Sequence, residues 1–127
     1  MSEGEIKVLV IDDEKMVSNI LRDFLEDEDF TVEIAQSGSE ALEKIRANSY
    51  DAAVVDMTLN DMDGDKLIKK ALAIDSCLLC LIHTGAVDYT ISTELADLGI
   101  SDEHIFFKPI HDMTDLSNRI RSLLKER

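Results

Sequence analysis

Short apolar runs alternate along this chain with segments whose apolar residues recur every three or four positions. Ile6–Ile11 (IKVLVI) is nearly unbroken and stops at Asp12-Asp13. A run of that length and β-branched content predicts a strand buried on both faces. Val17, Ile20, Leu21, Phe24 and Leu25 then fall at helical spacing and predict an amphipathic helix over Lys15–Asp27. Thr31–Ala35 reads as a second strand, and Ser37-Gly38-Ser39-Glu40 opens a second helix with Ala41, Leu42 and Ile45 inward. Ala52–Val55 is a third strand, stopped by Asp56, and Asn60-Asp61-Met62-Asp63-Gly64 is turn chemistry. Leu67, Ile68, Ala71 and Leu72 form a third helical stripe. Cys77–Ile82 (CLLCLI) reads as a fourth strand, ended by His83-Thr84-Gly85. Val87, Ile91, Leu95 and Leu98 predict a fourth helix that Gly99 closes. Ile105–Phe107 is a last strand, and Met113, Leu116, Ile120, Leu123 and Leu124 mark a final helix that stops just short of the chain end.

Five strand–helix alternations with buried strands predict an α/β fold, a parallel sheet with helices on both faces. Right-handed crossovers make it doubly wound. The 127 residues are one domain's worth, read as a single unit over 1–127.

Charge changes the picture next. Thirteen Lys and Arg stand against 27 Asp and Glu, a net charge of −14, with a pI near 4.4. Such a surface repels phosphate polymers and anionic membranes, so direct nucleic-acid or membrane binding is not expected. There is no long apolar run for a membrane span. The acidic start, Met1 to Glu5, does not read as a signal peptide, and the expected compartment is the cytoplasm. The run Asp23 to Asp29, with five acids, reads as a solvated helix end and turn. Residues 71–107 carry no Lys or Arg; Lys108 ends that gap, beside the only proline.

In a parallel sheet all strand C-terminal ends lie along one edge, where ligands bind. Asp12 and Asp13 follow the first run, Asp56 the third, Thr84 the fourth and Lys108 the fifth. Three crowded carboxylates disfavour one another's ionisation. A hard cation with oxygen ligands relieves that, and Mg²⁺ suits few carboxylates and several waters. Metal, ammonium and hydroxyl around a carboxylate make a site for a tetrahedral oxyanion, with phosphoryl the obvious candidate.

These pieces, VLVIDDE, AAVVDMTLNDMDG, IHTG and FFKP, resemble in order those of a response-regulator receiver domain, the phosphoacceptor module of two-component signalling. The resemblance runs from about Ile6 to Leu124. It implies a flavodoxin-like, five-stranded parallel sheet of strand order 2-1-3-4-5 with five helices. It implies Asp56 as phosphoacceptor, and Mg²⁺ held by Asp13, Asp56 and the Thr58 backbone carbonyl, with Asp12 acting mostly through water. Lys108 and Thr84 would hold phosphoryl oxygens, and Lys108–Pro109 would be cis. The implied donor is the phosphohistidine of a sensor histidine kinase or phosphotransfer protein. The output would pass through the face of the fourth helix, fifth strand and fifth helix, to a downstream partner, an output domain or a homodimer. The protein would be a signalling domain rather than an enzyme, assisting its own phosphorylation and dephosphorylation.

Departures from the family pattern are also visible. Ile105 stands where the family usually has an aromatic that swings inward on activation, and Phe106 and Phe107 lie closer to Lys108. The segment Gly99 to Lys108 is longer than the family spacing, and Asn60 stands where proline is frequent. Two further readings therefore stay open: an interaction module that works without phosphorylation, and the receiver portion of a longer regulator or hybrid kinase.

Other motifs carry less. Cys77 and Cys80 are three apart on an expected strand, so their thiols would point to opposite faces and read as core. His83, His104 and His111 share no ligand spacing and read as structural or surface residues. Asp61-Met62-Asp63-Gly64-Asp65 fails as a calcium loop, because Leu59 and Lys70 would take ligand positions. It also lies one loop too late for a DxDG phosphatase motif.

Overall fold

The computed structural model describes residues 5–126; Met1–Gly4, which include most of the acidic start, and Arg127 lie outside the described residues. Five strands and five α-helices alternate: β1 Ile6–Ile11, α1 Lys15–Asp27, β2 Phe30–Ala35, α2 Gly38–Ala47, β3 Ala52–Asp56, α3 Gly64–Ile74, β4 Leu79–Thr84, α4 Thr93–Asp97, β5 Ile105–Phe107 and α5 Met113–Lys125. All strands are parallel, in the order β2-β1-β3-β4-β5. This is the doubly wound α/β sheet expected from the alternation.

Each strand sends alternate side chains to two cores. One face packs Leu9, Ile11, Val55 and Ile82 against Leu42, Leu67 and Leu95 of α2, α3 and α4. The other packs Val8, Val10, Val54 and Leu81 against Leu21, Leu25, Leu116 and Ile120 of α1 and α5. Every residue of β3 and β4 is buried, because helices cover both faces. Each fully buried Leu or Ile stabilises by roughly 1.5–3 kcal/mol before chain entropy is counted.

The helix starts follow capping chemistry. The Ser37 hydroxyl accepts from the Glu40 N–H at 3.0 Å, and Glu40 Oε1 accepts from the Gln36 N–H at 2.8 Å. Asp63 and Ser92 cap α3 and α4 in the same way. Gly99 closes α4 with φ +97°, a left-handed conformation that favours glycine.

Four expectations need correction. The fourth strand is Leu79–Thr84, two residues later than the apolar run Cys77–Ile82. The backbone after α3 turns instead, with the Cys77 N–H donating to Asp75 Oδ1 at 3.0 Å and the Leu78 N–H to the Asp75 carbonyl at 3.2 Å. Cys77 is therefore exposed rather than core, whereas Cys80 is buried as expected. Second, α4 is only Thr93–Asp97; Val87 is 86% exposed and Leu98 half exposed. Residues 85–92 are irregular because the Ser92 cap starts the helix late. Third, Ile20 is exposed. It edges an open apolar groove shared with Val17, Pro109, Ile110 and Met113. Fourth, the acidic run is not wholly solvated: Glu28 Oε1 accepts from the Ser117 hydroxyl at 3.1 Å and pairs with Arg121 at 3.4 Å.

Among the described residues, no helix is long and apolar enough to cross a membrane.

Candidate functional site

The strand ends bring the sequence-derived residues together along one edge of the sheet. Asp12 and Asp13 lie directly after β1, Asp56 ends β3, Thr84 ends β4, and Lys108 follows β5. The shift of β4 makes Thr84 a strand residue, fully buried, rather than a loop residue after the strand. The Lys108 N–H donates to the Thr84 carbonyl at 2.8 Å, so the sheet ladder itself fixes where the lysine begins. The Lys108–Pro109 bond is cis.

Asp12 and Asp56 are 1% and 2% exposed, and Asp13 is partly buried. One carboxylate oxygen from each of the three lies within 4.8 Å of the others. Lys108 Nζ reaches into this cluster, 3.4 Å from Asp56 Oδ1 and 3.7 Å from Asp12 Oδ2. It is also 3.8 Å from Glu14 Oε1, an exposed carboxylate that the strand-end pattern did not single out.

Burial pushes the Asp12 carboxyl up to about 6. The Glu14 N–H, donating to Asp12 Oδ1 at 2.9 Å, pulls the other way, the Asp56 charge adds to the rise, and Lys108 offsets part of it. Asp12 Oδ2 and His83 Nδ1 are, among the described residues, buried polar side-chain atoms without a hydrogen-bond partner. A buried carboxylate oxygen with no hydrogen bond, among like charges and met only by the Lys108 ammonium at 3.7 Å, is costly. An oxygen-preferring divalent cation is the chemistry that such a donor set fits.

Asp56 is held from its own loop. The Thr58 N–H and the Thr58 hydroxyl each donate to Asp56 Oδ1 at 3.1 Å. The loop is pinned beyond that point. Thr58 bridges to Asp63, and the Gly64 N–H donates to the Met57 carbonyl at 3.3 Å. Asp61, read from sequence only as turn chemistry, accepts from the Gly38 and Ser39 N–H groups at 2.9 Å each and from the Ser39 hydroxyl at 3.0 Å. It thereby ties the loop after Asp56 to the N-terminus of α2. No periodicity or spacing signals such a contact; only an acid opposite a helix start hints at it.

His83 pairs in the β-ladder with Asp56 on one side and Phe106 on the other. It is buried, and burial with the nearby Lys108 charge lowers it to about 4. It belongs to the structural class expected of it, but sits closer to the site than its sequence context suggested. Thr84 Oγ1 accepts from the Ala86 N–H at 3.1 Å.

The arrangement can place a divalent cation among three carboxylates, with an ammonium beside two of them and a hydroxyl at the next strand end. A family model described as the response regulator receiver domain matches residues 8–121. The chain belongs to this family. The response regulator MprA of Mycobacterium sp. (strain KMS) is 32% identical over 120 residues, covering 94% of this receiver chain and 51% of its own. The transcriptional regulatory protein CutR of Streptomyces coelicolor is 27% identical over 118 residues, with 93% and 53% coverage. The chain thus spans about half the length of these curated relatives. A CheY-like receiver domain protein from Methanospirillum hungatei superposes with a TM-score of 0.82 at 28% identity, over 97% of this chain and 96% of that one. The receiver domain of Francisella response regulator 1452 gives 0.76 at 29% identity, over 95% and 98%. The molecule is accordingly a receiver domain of two-component signalling, with the fold order expected of it.

Proposed function

We propose that Asp56 accepts a phosphoryl group from the phosphohistidine of a sensor histidine kinase or phosphotransfer protein. The observation that carries this reading is the convergence of Asp12, Asp13 and Asp56 within 4.8 Å, with Lys108 Nζ 3.4 Å from Asp56 Oδ1. Thr58 and Lys108 engage Asp56 through Oδ1, which leaves Oδ2 to attack phosphorus. The new O–P bond forms as the donor's N–P bond breaks, and the electron pair returns to the imidazole nitrogen. Water later cleaves the acyl phosphate, releasing phosphate and the carboxylate.

Asp13, Asp56 and the Thr58 carbonyl would hold Mg²⁺, with Asp12 acting mostly through water. The bound ion supplies positive charge at the transferring phosphoryl group. Lys108 neutralises a phosphoryl oxygen as charge builds there. Thr84 donates its hydroxyl to another oxygen once the phosphoryl group is in place. The protein's own part is thus the nucleophile, the metal ligands and the fixed charge, which suits a signalling domain that assists its own phosphorylation and dephosphorylation.

The phosphorylated state would be read on the α4–β5–α5 face, by a partner, an output domain or a second copy. The match to about half the length of its relatives supports a role as the receiver portion of a longer regulator; a stand-alone messenger in the cytoplasm is the other arrangement. One observation favours phosphorylation-independent action: Ile105 fills the position of the usual aromatic. Incubation with acetyl phosphate and Mg²⁺, followed by intact mass, tests the reading. One added phosphoryl group, abolished by EDTA, is expected; no gain overturns it in favour of the phosphorylation-independent module.

A further inference from the structure

Ile105 is half-buried against the core on the α2–α3 side. The two phenylalanines after it do not take its place in this structure. Phe106 faces the opposite core, with the Arg119 guanidinium 5.1 Å from its ring centre. Phe107 pairs in the ladder with Thr84, but it is 42% exposed rather than buried in either core. The aromatic that joins two loops of the site lies elsewhere.

Tyr89 sits in the segment 85–92 that follows Thr84. Most of that segment is exposed, whereas Tyr89 and Ile91 pack partly buried on the core. The Tyr89 hydroxyl donates to Asp65 Oδ1 at 2.9 Å. Asp65 is in the first turn of α3, directly after the loop that begins at Asp56. Burial and the Asp65 carboxylate push the Tyr89 phenol up, so it keeps its proton and remains a donor. At the other end, the Tyr89 N–H donates to the Ala86 carbonyl at 3.0 Å, and the Ala86 N–H donates to Thr84 Oγ1 at 3.1 Å. Thr84, Ala86, Tyr89 and Asp65 therefore form one hydrogen-bonded chain between the two loops. Lys69 and Glu94, paired at 2.9 Å, add an exposed tie between α3 and α4 that contributes little.

We propose that Tyr89 and Asp65 form a latch that holds the segment after Thr84 in its resting place and opens when Asp56 is phosphorylated. This rests on the phosphoacceptor reading above. The Thr84 hydroxyl has one proton to donate. Drawing it toward a phosphoryl oxygen moves the oxygen that now accepts from Ala86. The Ala86–Tyr89 turn follows, and the phenol leaves Asp65. Tyr89 thus takes over the reporting role that Ile105 cannot fill. A contact made only in the resting state opposes activation, and its loss shifts the balance toward the active state.

Beryllofluoride with Mg²⁺, a mimic of an aspartyl phosphate, tests this directly. It is titrated into wild type, Tyr89→Phe and Asp65→Ala, with occupancy read by ¹⁹F NMR. Tyr89→Phe keeps the ring and its packing. Both variants bind the mimic roughly three- to tenfold more tightly, the range expected of an ordinary, partly exposed hydrogen bond. Unchanged or weaker binding overturns the latch, because a merely structural tyrosine would not tighten the active state when altered. A wild type that neither binds beryllofluoride nor gains a phosphoryl group from acetyl phosphate overturns the phosphoacceptor reading and the latch with it. The chain has two tyrosines, so in Tyr50→Phe the emission comes from Tyr89. It rises on saturation as the phenol leaves the carboxylate; constant emission in a saturated sample overturns the latch alone.

Discussion

Lys108 Nζ stands 3.4 Å from Asp56 Oδ1, although the two residues come from strands separated by β4 in the sheet. The same ammonium is within 3.7 Å of Asp12 and 3.8 Å of Glu14. One cation thus serves three carboxylates, and it is the first Lys or Arg after residue 70. Its removal raises the negative charge of the cluster. Lys108→Ala is therefore expected to keep Mg²⁺ binding, or tighten it several-fold, while the phosphorylated form no longer reaches the active state. Mg²⁺ titration beside a phosphorylation-dependent partner assay checks both halves. Equal activation of variant and wild type would count against the role of Lys108.

Gly64 starts α3 where the loop after Asp56 folds back on itself. A Cβ added there would collide with Met57 Sδ and would meet the Met57 Cα at 2.8 Å. The sulfur can swing away, but the backbone atom cannot. Gly64→Ala should cost about 1–3 kcal/mol by overpacking. It should also slow phosphorylation, because Met57 adjoins Asp56. Urea unfolding and the rate of mass gain with acetyl phosphate measure the two effects. Wild-type values for both would show that the loop has slack.

His83 gives a pH dependence with a definite sign. Burial, reinforced by Lys108, lowers it from the ordinary 6.5 to about 4. The unfolded chain therefore binds this proton more strongly than the folded one. Stability from the neutral imidazole is full above about pH 7 and is lost as pH falls from 6.5 toward 4, by up to about 3 kcal/mol. Urea unfolding of wild type and His83→Met at pH 7.5 and 4.5 isolates the effect. Wild type should lose ground against the variant at the lower pH; a constant difference would place the imidazole in a wetter setting.

Much of the fold is legible where one physical signal dominates. Ile6–Ile11, Lys15–Asp27 and Ile105–Phe107 have the same bounds in sequence and structure, because apolar runs and helical stripes report burial directly. The acidic site is legible for the same reason: a buried parallel strand that stops at an acid puts that acid on the ligand-binding edge. Legibility fails where a single polar side chain, near or far along the chain, decides the outcome. The apolar run Cys77–Ile82 does not reveal that Asp75 turns the first part of it away from the sheet. The stripe of Val87, Ile91, Leu95 and Leu98 has helical spacing, yet Ser92 caps a helix that reaches only Asp97. The tethers from Asp61 to Gly38 and from Tyr89 to Asp65 leave no periodic trace, since each joins a loop to the first turn of a helix.

Sodium borohydride reduces an aspartyl phosphate to homoserine and so marks the residue that carried the phosphoryl group. Applied after acetyl phosphate and Mg²⁺, followed by peptide sequencing, it tests the central claim most directly. The expected result is homoserine at position 56, absent without Mg²⁺ and absent in Asp56→Asn. Homoserine at another position, or none at 56 in wild type, would contradict Asp56 as the phosphoacceptor.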